Sequence, residues 1–321
     1  MSALIFSTQF VNKCLELYKL HYDQNAIYNA FCKGLGRMPN HVNQLLDIPF
    51  LPIELFKDHK IYIGKHEPEL NFKSSGTVNT LKRSTHYIDT INRYESALKN
   101  CFSDFFTLNK RMTLFGVLPG YVENEKSSLI FMLEQLKQLE LIDIKGYYLN
   151  NYSELIKDLN EAKKRGEIIL LWGVTFGLLD FAEKHKFDLK NHIVLETGGM
   201  KGRRKEITRK EVHEILIQAF NVKKVYSEYG MTELLSQAYS KGDGIFTMNN
   251  SLKVLVRDVY DPLSYVENGK SGALNIIDLS NEHSCPFIAT QDLGRVFNNQ
   301  TFEVLGRTDN SDIRGCNLMA V

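Results

Sequence analysis

The chain has 321 residues, 43% of them hydrophobic and 24% charged, which suits a globular protein of one large or two modest domains. A net charge of +1 gives neither a global basic field for nucleic acid nor an acidic tail. The five cysteines are scattered without a CxxC pair, so we expect no disulfide framework, no zinc site and a cytoplasmic location. No apolar run approaches the roughly 18 residues of a membrane helix, and we expect no membrane span.

Helical spacing predicts helices within residues 9–34, and prolines interrupt the region that follows. From about residue 70, apolar strands alternate with amphipathic helices. We predict strands at 113–118, 168–172, 192–195 and 222–226, and helices at 127–139, at 176–184 and after Thr208, which begins a capping box with Glu211. This alternation predicts an α/β fold with mainly parallel sheets flanked by helices, which bind ligands at the carboxyl ends of the strands.

The pattern changes after residue 245. Short strands are predicted at 252–256, 273–278 and 302–305, separated by turns such as Asp261-Pro262 and Asn268-Gly269. They predict a smaller antiparallel β subdomain near the C-terminus. We therefore expect a nucleotide- and acyl-binding α/β region at 1–245 and a β-rich subdomain at 246–321.

The segment at 226–233, Tyr-Ser-Glu-Tyr-Gly-Met-Thr-Glu, combines the groups that hold a nucleotide. Tyr229 offers a flat ring, and Gly230 permits close approach of the backbone. Thr232 could donate to an α-phosphate, and Glu233 could bind Mg²⁺, a hard cation that prefers oxygen ligands. The alternative is a strand-to-helix turn capped by Thr232. That alternative is credible for any one residue and weaker for all of them together.

A second polar segment comprises Ser74, Ser75, Gly76 and Thr77, followed by Lys82. Its hydroxyls and glycine bend offer hydrogen-bond donors around a polyphosphate, and the lysine supplies positive charge. The spacing is not that of a P-loop. An isolated string of this kind is more often a polar turn, so the segment gains meaning only from the other motifs.

Three further residues are candidates near the end of the chain. Asp292, in Thr-Gln-Asp-Leu-Gly, could accept both hydroxyls of a ribose, and Arg307 could bind the same sugar or its phosphate. Each alone is more often a surface charge at a turn. Cys316 follows Arg314-Gly315, and a nearby cation lowers the pKa of a thiol and makes it more reactive. An incidental tail cysteine is the alternative.

These motifs, in this order, resemble the adenylate-forming superfamily of acyl ligases and synthetases. The likeness consists of Ser-Ser-Gly-Thr at 74–77, Tyr-Gly-Met-Thr-Glu at 229–233, Asp292 in the place of the TGD aspartate, and Gly-Arg-x-Asp at 306–309. Within the superfamily, the segments at 48–57, 72–77, 127–129 and 309–316 resemble the acyl-protein synthetase family of bacterial luminescence. This second likeness spans nearly the whole chain.

The resemblance implies that a carboxylate attacks the α-phosphorus of ATP, giving an acyl-adenylate and pyrophosphate. It implies that Ser74, Ser75, Gly76, Thr77 and Lys82 bind the β- and γ-phosphates. It further assigns Thr232 to the α-phosphate and Glu233 to Mg²⁺.

The remaining contacts implied by the resemblance concern the nucleoside and the acyl acceptor. Tyr229 would flank the adenine, with Gly198 and Gly199 allowing close approach, while Asp292 and Arg307 would bind the ribose. Cys316 would accept the acyl group as a thioester. The expected partners are a carboxylic acid, fatty or otherwise apolar, and an acyl-accepting reductase, carrier protein or transferase.

The chain departs from the superfamily pattern at three places. Val78-Asn79 stands where the phosphate loop has a second glycine, and Gln291 replaces the glycine of TGD. The resemblance also implies only the large N-terminal domain of the adenylate-forming fold, without the small C-terminal domain and its lysine.

These departures leave two alternatives open. One is an acyl- or aryl-CoA ligase, and the other is a catalytically weak nucleotide-binding subunit of an acyl-transfer complex. Trp172, Phe176 and Tyr121 are candidate walls of a pocket for an apolar acyl or aryl group, although aromatic residues at such loops are equally often part of the core.

Overall fold

The computed structural model describes residues 6–74, 82–106, 111–120, 127–199, 207–298 and 300–307. Its α-helices are α1 (Thr8–Gln24), α2 (Ala26–Gly34), α3 (Leu55–Asp58), α4 (Ile91–Phe105), α5 (Ser128–Gln138), α6 (Tyr152–Arg165), α7 (Thr175–Lys184) and α8 (Arg209–Phe220). A 3₁₀ turn covers Leu45–Asp47. The predicted helices within 9–34, at 127–139 and at 176–184 are confirmed. Thr208 caps α8 in a capping box with Glu211, as predicted.

The strands run through the whole described chain. They are β1 (Leu51–Pro52), β2 (Leu70–Lys73), β3 (Thr85–Ile88), β4 (Met112–Val117), β5 (Ile142–Tyr148), β6 (Ile168–Val174), β7 (Ile193–Thr197), β8 (Tyr226–Tyr229), β9 (Ala238–Ser240), β10 (Ile245–Thr247), β11 (Leu252–Arg257), β12 (Gly272–Asp278), β13 (Phe287–Phe297) and β14 (Thr301–Arg307).

One half of the large sheet is parallel. Strands β5, β4, β6, β7 and β8 lie side by side in that order, and all four pairings are parallel. Apolar residues predominate in β4, β6 and β7, as expected when both faces of a sheet are covered. The carboxyl ends of β4, β6, β7 and β8 therefore meet at one edge, where open α/β sheets bind ligands.

The other half is antiparallel and continues the same sheet. Strand β8 pairs with β9, and the order then runs β10, β14, β13, β12 and β11, with every pairing antiparallel. The α/β class and the predicted change of pattern are confirmed, and the large sheet is mixed. The antiparallel strands do not form a separate sheet. The proposed boundary at residue 245 stays a prediction.

Buried apolar side chains form two clusters that cut across the sequence. The first surrounds the parallel strands and draws on residues between Phe72 and Tyr239. The second combines α1, α2 and the segment up to Ile61 with the antiparallel strands as far as Phe302. The N-terminal helices therefore pack against the C-terminal strands, a long-range arrangement that their helical spacing did not indicate.

A separate two-stranded sheet consists of the β2–β3 hairpin. Phe72 pairs with His86 and Lys73 pairs with Thr85. Beyond the paired strands, the Ser74 amide donates to the Ser84 carbonyl at 3.0 Å, and the Ser84 amide donates to Ser74 Oγ at 3.1 Å. The hairpin thus fixes Ser74, the first residue of the predicted phosphate segment, beside Ser84.

The strand predicted at 222–226 was wrong in position, because β8 begins only at Tyr226. Asn221 ends α8 in the left-handed conformation, with φ of 52°. The chain then needs several residues before β8 begins beside β7, and Val222 and Val225 are buried in that connection. Their apolar character reflects packing rather than strand pairing.

Candidate active site

A cleft lies at the carboxyl ends of β4, β7 and β8, beside the start of α5 and the β2–β3 hairpin. Its polar lining comprises Lys73, Ser127, Ser128, Thr197, Glu228, Thr232 and Gln237. Its apolar lining comprises Phe72, Tyr94, Leu129, Met132, Met231 and Leu234. Gly198 and Gly230 also line it, so three of the predicted site residues, including Thr232, face this cleft.

Two glycines keep the cleft open at its floor. Gly198 follows β7 with φ of 75°, a conformation that favours glycine. A Cβ atom at Gly230 would lie 2.3 Å from Glu228 Oε1, so any side chain there would displace that carboxylate. Around Gly199, no described atom lies within 4 Å of the position of a Cβ.

Tyr229 connects the 226–233 segment to the antiparallel half of the sheet. Its hydroxyl donates to Asp292 Oδ2 at 2.7 Å, and its ring packs against Phe246 and Phe302 with centroids 5.8 and 5.4 Å away. The ring is therefore buried in the second core cluster, and its hydroxyl orients the carboxylate of Asp292.

Asp292 and Arg307 face each other across the β13–β14 pair, where they are register partners. Arg307 Nε lies 3.4 Å from Asp292 Oδ1, and the arginine side chain is 68% exposed. Burial raises the pKa of the Asp292 carboxyl, while the Arg307 charge and the Tyr229 hydrogen bond oppose that shift. An exposed cation and a nearly buried carboxylate are thus held together at one place.

Glu233 lies at the end of the 226–233 segment, with only 5% of its surface exposed. Burial raises the pKa of its carboxyl, and the main opposing interaction is a hydrogen bond from the Ser84 side chain. Ser84 also exchanges hydrogen bonds with Ser74 at the hairpin end. The two motifs, far apart in sequence, therefore meet through Ser84.

The backbone after Glu233 is fixed by buried polar side chains. Asn281 Nδ2 donates to the Glu233 carbonyl at 2.8 Å, and Asn281 Oδ1 lies 2.8 Å from His86 Nε2 on β3. Asp278 accepts from the amides of Leu235 and Ser236 at 2.8 and 2.9 Å. These contacts join the 226–233 segment rigidly to both β3 and β12.

Glu228, which the motif analysis did not single out, is a buried carboxylate that lines the cleft. Its Oε2 accepts a short hydrogen bond from Thr197 Oγ1. Burial raises the pKa of this carboxyl to about 7, with the hydrogen bond opposing the shift and nearby Glu196 adding to it. An acidic residue within a buried strand is the sequence signal that could have identified it.

Glu196 on β7 is also an acidic residue within a buried strand, but its carboxylate has several hydrogen-bonding and charged partners. Arg209 Nε lies 3.0 Å from Glu196 Oε1, and Thr175 Oγ1 donates to Glu196 Oε2 at 2.7 Å. His213 and Ser227 also contribute hydrogen bonds. Burial alone would raise the pKa of Glu196, yet these partners, chiefly Arg209, lower it to about 2. Glu196 is therefore a charged structural centre.

Arg209 extends this network to the antiparallel half. Its Nη1 donates to the Val304 carbonyl at 3.3 Å, and its guanidinium lies 5.1 Å from the centroid of the Phe246 ring. One arginine thus connects β7, β10 and β14, the strands on both sides of the change from parallel to antiparallel pairing.

Other predicted site residues lie elsewhere or outside the described ranges. Lys82 Nζ lies 2.6 Å from Asp58 Oδ1 in an exposed ion pair. Ser75, Gly76, Thr77 and Cys316 lie outside the described residues.

The prediction that Trp172 and Phe176 line the pocket for the acid was wrong. Trp172 and Phe176 are buried in the first core cluster and do not line the cleft. Tyr121, the third of these candidates, is outside the described residues. Phe72 and Tyr94 supply the aromatic surface instead.

Comparison with known proteins identifies the family. The model of the acyl-protein synthetase family, LuxE, matches residues 6–320 of the chain. The chain belongs to this family. It is accordingly an acyl-protein synthetase, a ligase, and the resemblance inferred from its motifs is confirmed.

One relative of known activity and two solved structures are similar to this acyl-protein synthetase. It is 22% identical to the long-chain-fatty-acid–luciferin-component ligase of Vibrio harveyi, over 94% of this chain and 84% of that protein.

A 2-hydroxyisobutyryl-CoA ligase in complex with 2-HIB-AMP and CoA superposes with a TM-score of 0.71. The sequences are 14% identical, and the alignment covers 94% of this chain and 68% of that one. ATP-bound MatB from Rhodopseudomonas palustris has a TM-score of 0.56 at 14% identity, over 74% of this chain and 47% of MatB. These structures show that the synthetase has the fold of adenylate-forming ligases.

Gln291, where the synthetase departs from the TGD pattern, has a structural partner. Its side-chain amide donates to Glu54 Oε1, in the N-terminal segment that runs alongside β13. Leu51 and Pro52 of that segment pair with Ile288 and Ala289. The glutamine therefore helps to join the N-terminal segment to the strand that carries Asp292.

The carboxylate of Glu233 is chemically suited to be one ligand of Mg²⁺. Mg²⁺ typically binds one or two carboxylates together with phosphates and water. A divalent cation would stabilise the ionised form of this carboxyl, whose pKa burial raises. In the described ranges, no three His, Cys, Asp or Glu side chains are grouped as a metal site.

Within the same ranges, no helix is both long and apolar enough to cross a membrane.

Proposed function

We propose that this synthetase activates a carboxylic acid with ATP as an acyl-adenylate and transfers the acyl group to a cysteine thiol. The observation that carries the proposal is the convergence of the separate motifs. Ser84 connects the hairpin to Glu233, and Tyr229 connects the same 226–233 segment to Asp292 and its partner Arg307. Such convergence supports one nucleotide site with chemistry based on positioning and charge stabilisation.

In this site the polar residues have distinct proposed roles toward the phosphates. Thr232 lines the cleft and would donate to the α-phosphate, and Glu233 would hold Mg²⁺. The ion would supply positive charge that neutralises the phosphate oxygens. Ser74, at the hairpin end, would act with Ser75, Gly76 and Thr77 on the β- and γ-phosphates.

Lys82 is the remaining candidate for the β- and γ-phosphates. It would have to exchange its partner Asp58 for a phosphate. The Lys82–Asp58 pair is exposed, so water stabilises both groups when they separate and the exchange costs little.

The ribose would be held by Asp292, whose carboxylate is oriented by Tyr229 and paired with Arg307. We propose that Tyr229 acts through Asp292, and a place for its ring beside the adenine remains a prediction. Gly198 and Gly199 would allow the nucleotide to approach the backbone after β7.

The acyl acceptor is proposed to be Cys316. The other four cysteines, Cys14, Cys32, Cys101 and Cys285, are buried, and burial raises the pKa of each thiol to about 11 or 12. A thiolate, which is the reactive form, is therefore disfavoured at all four positions. This supports the thiol beside Arg314 as the acceptor.

The proposed acid is fatty or otherwise apolar. Apolar side chains, among them Leu129, Met132 and Leu234, line the cleft together with aromatic rings. The name of the Vibrio harveyi relative specifies a long-chain fatty acid. We propose that the thioester passes to a reductase, carrier protein or transferase.

Intact-mass spectrometry tests the proposal. Wild-type protein is incubated with ATP, Mg²⁺ and each of a series of carboxylic acids, with and without coenzyme A. We expect the mass of one acyl group on the wild type, none on Cys316→Ser, and an undiminished signal on the control Cys101→Ser. Acyl-CoA formation without protein acylation would instead identify a CoA ligase. An acylated Cys316→Ser protein would contradict the assignment of the acceptor.

A further inference from the structure

Glu228 is a buried acid whose carboxylate accepts a hydrogen bond from one side chain among the described residues. Its Oε2 accepts from Thr197, and among the described residues no group donates a hydrogen bond to its Oε1. That oxygen points towards Gly230, since a Cβ there would lie 2.3 Å from it. Glu228 therefore presents, at the floor of the cleft beside Gly230, one carboxylate oxygen that accepts no hydrogen bond from the described residues.

The surroundings of Glu228 do not neutralise it. Glu196 on β7 is also negative and is already paired with Arg209. Tyr94 on α4 and Tyr239 on β9 are close enough for Glu228 to raise the pKa of each phenol, and both are buried. Among described residues that line the cleft, Lys73 is the cation. A buried carboxylate that has no cation paired with it in the described part of the chain costs folding free energy, which a purely structural role does not explain.

The position of Glu228 relates it to the reacting atoms of the proposed site. Gly230 and Thr232, which follow it on the same strand end, line the same cleft, and Thr232 is the proposed contact of the α-phosphate. The acyl-adenylate joins that phosphate to the acyl carbonyl. A group on the cleft floor at this point is therefore near the carbonyl that a thiol must attack.

We propose that Glu228 is the general base of the acyl-transfer step. The inference rests on the proposed function and adds a catalytic residue to it. As the thiol sulfur forms a bond to the acyl carbonyl, its proton passes to Glu228 Oε1. The bond between the carbonyl carbon and the phosphate oxygen then breaks, and AMP leaves with the electron pair. The products are a thioester, AMP and a protonated Glu228, which returns its proton to water.

The acid–base properties of Glu228 suit this role at neutral pH. A general base works best when its pKa is near the operating pH, and the pKa of this carboxyl is about 7. Because only the carboxylate accepts the proton, thioester formation should rise with pH through about 7 and then level off. The first half-reaction requires no thiol proton transfer, so its pH profile should lack this step.

The test compares the two half-reactions in Glu228→Gln. ATP–pyrophosphate exchange reports acyl-adenylate formation, and the acylation rate of Cys316, followed by mass spectrometry, reports transfer. We expect transfer to fall at least about 100-fold more than exchange, as is typical for loss of a general base, and the rise near pH 7 to disappear. The amide preserves shape and can still accept from Thr197, so a melting curve like that of the wild type is expected.

Hydroxylamine provides a second measurement. This amine attacks the acyl-adenylate without first losing a proton, so Glu228→Gln should form acyl hydroxamate at a rate that matches its exchange. Glu196→Gln is the matched control, a neighbouring buried acid that does not line the cleft. Because the Glu196 charge helps to raise the pKa of Glu228, the comparison is made well above pH 7, where Glu228 is ionised with or without that charge. There the ratio of transfer to exchange in Glu196→Gln should be that of the wild type.

Two outcomes overturn the assignment of Glu228. Equal losses of exchange and transfer in Glu228→Gln would show a role in binding the acid or in folding. Unchanged transfer would show that Glu228 takes no part in it. Absence of exchange in the wild type with every acid tested would instead refute the proposed function on which the inference rests.

Discussion

Replacing Arg209 by methionine should destabilise the protein strongly, because it leaves Glu196 charged and buried without its cation. The Arg209 side chain is held 3.0 Å from Glu196 Oε1 and shields a carboxyl whose pKa is lowered from 4.5 to about 2. That difference, which reflects all the partners of Glu196 against the effect of burial, corresponds to roughly 3 kcal/mol of stabilisation of the ionised form, and Arg209 is the largest favourable contribution. Breaking buried ion pairs in other proteins costs about 3–5 kcal/mol. We therefore expect the free energy of unfolding at pH 7 to fall by about 3 kcal/mol.

Urea denaturation followed by circular dichroism measures this change. The control is Arg165→Met, at an exposed arginine of α6 paired with Glu161 and Glu167, whose stability should resemble that of the wild type. Combining Arg209→Met with Glu196→Gln removes the buried charge, so the double variant should lose less stability than the sum of the single variants. A loss below about 1 kcal/mol in Arg209→Met would refute the reasoning.

The same pair predicts how stability depends on pH. Because the pKa of Glu196 is lower in the folded protein than in the unfolded chain, its contribution is complete above about 4.5. It is lost as the pH falls from there towards about 2. The difference in unfolding free energy between wild type and Arg209→Met should therefore shrink below about pH 4.5. A difference that stays constant down to the acid limit of folding would contradict this assignment.

Two substitutions in the 226–233 segment complete the predictions. Gly230→Ala should slow acyl transfer to Cys316 more than ATP–pyrophosphate exchange and cost about 1–3 kcal/mol of stability, because its Cβ would lie 2.3 Å from Glu228 Oε1 and displace that carboxylate; transfer at the wild-type rate would contradict the packing. Tyr229→Phe should raise the KM for ATP roughly tenfold with less effect on kcat, since Asp292 loses a hydrogen bond worth about 1.5–3 kcal/mol. An unchanged KM would show that Asp292 does not depend on Tyr229.

Local patterns in the sequence predicted the α/β elements well. The apolar runs at β4, β6 and β7 and the capping box of α8 depend on neighbouring residues, which the sequence displays directly. The position of β8 was wrong, because the turn at Asn221 and the burial of Val222 and Val225 resemble a strand in composition. Local composition does not separate a buried connection from a buried strand.

Long-range pairings could not be read from the sequence. The insertion of β14 between β10 and β13, and the packing of α1 and α2 on the antiparallel strands, depend on contacts between distant residues. The antiparallel strands, which we expected in a separate smaller sheet, instead continue the parallel strands in one mixed sheet.

The motifs predicted the candidate site residues, and the structure shows which of the described ones lie together. Ser84, which connects Ser74 to Glu233, had no motif of its own and is recognisable only in three dimensions. Glu196 and Glu228 could have been found as acids within buried strands, but only their partners distinguish a paired structural charge from an open one.

The central claim is that this acyl-protein synthetase forms acyl-adenylates at the cleft. ATP–pyrophosphate exchange with radiolabelled pyrophosphate, Mg²⁺ and a series of carboxylic acids tests it most directly. We predict label in ATP that depends on an apolar acid and is lost in Glu233→Gln. Binding of ATP without exchange, whichever acid is added, would contradict the claim and would indicate a nucleotide-binding subunit that does not activate acids.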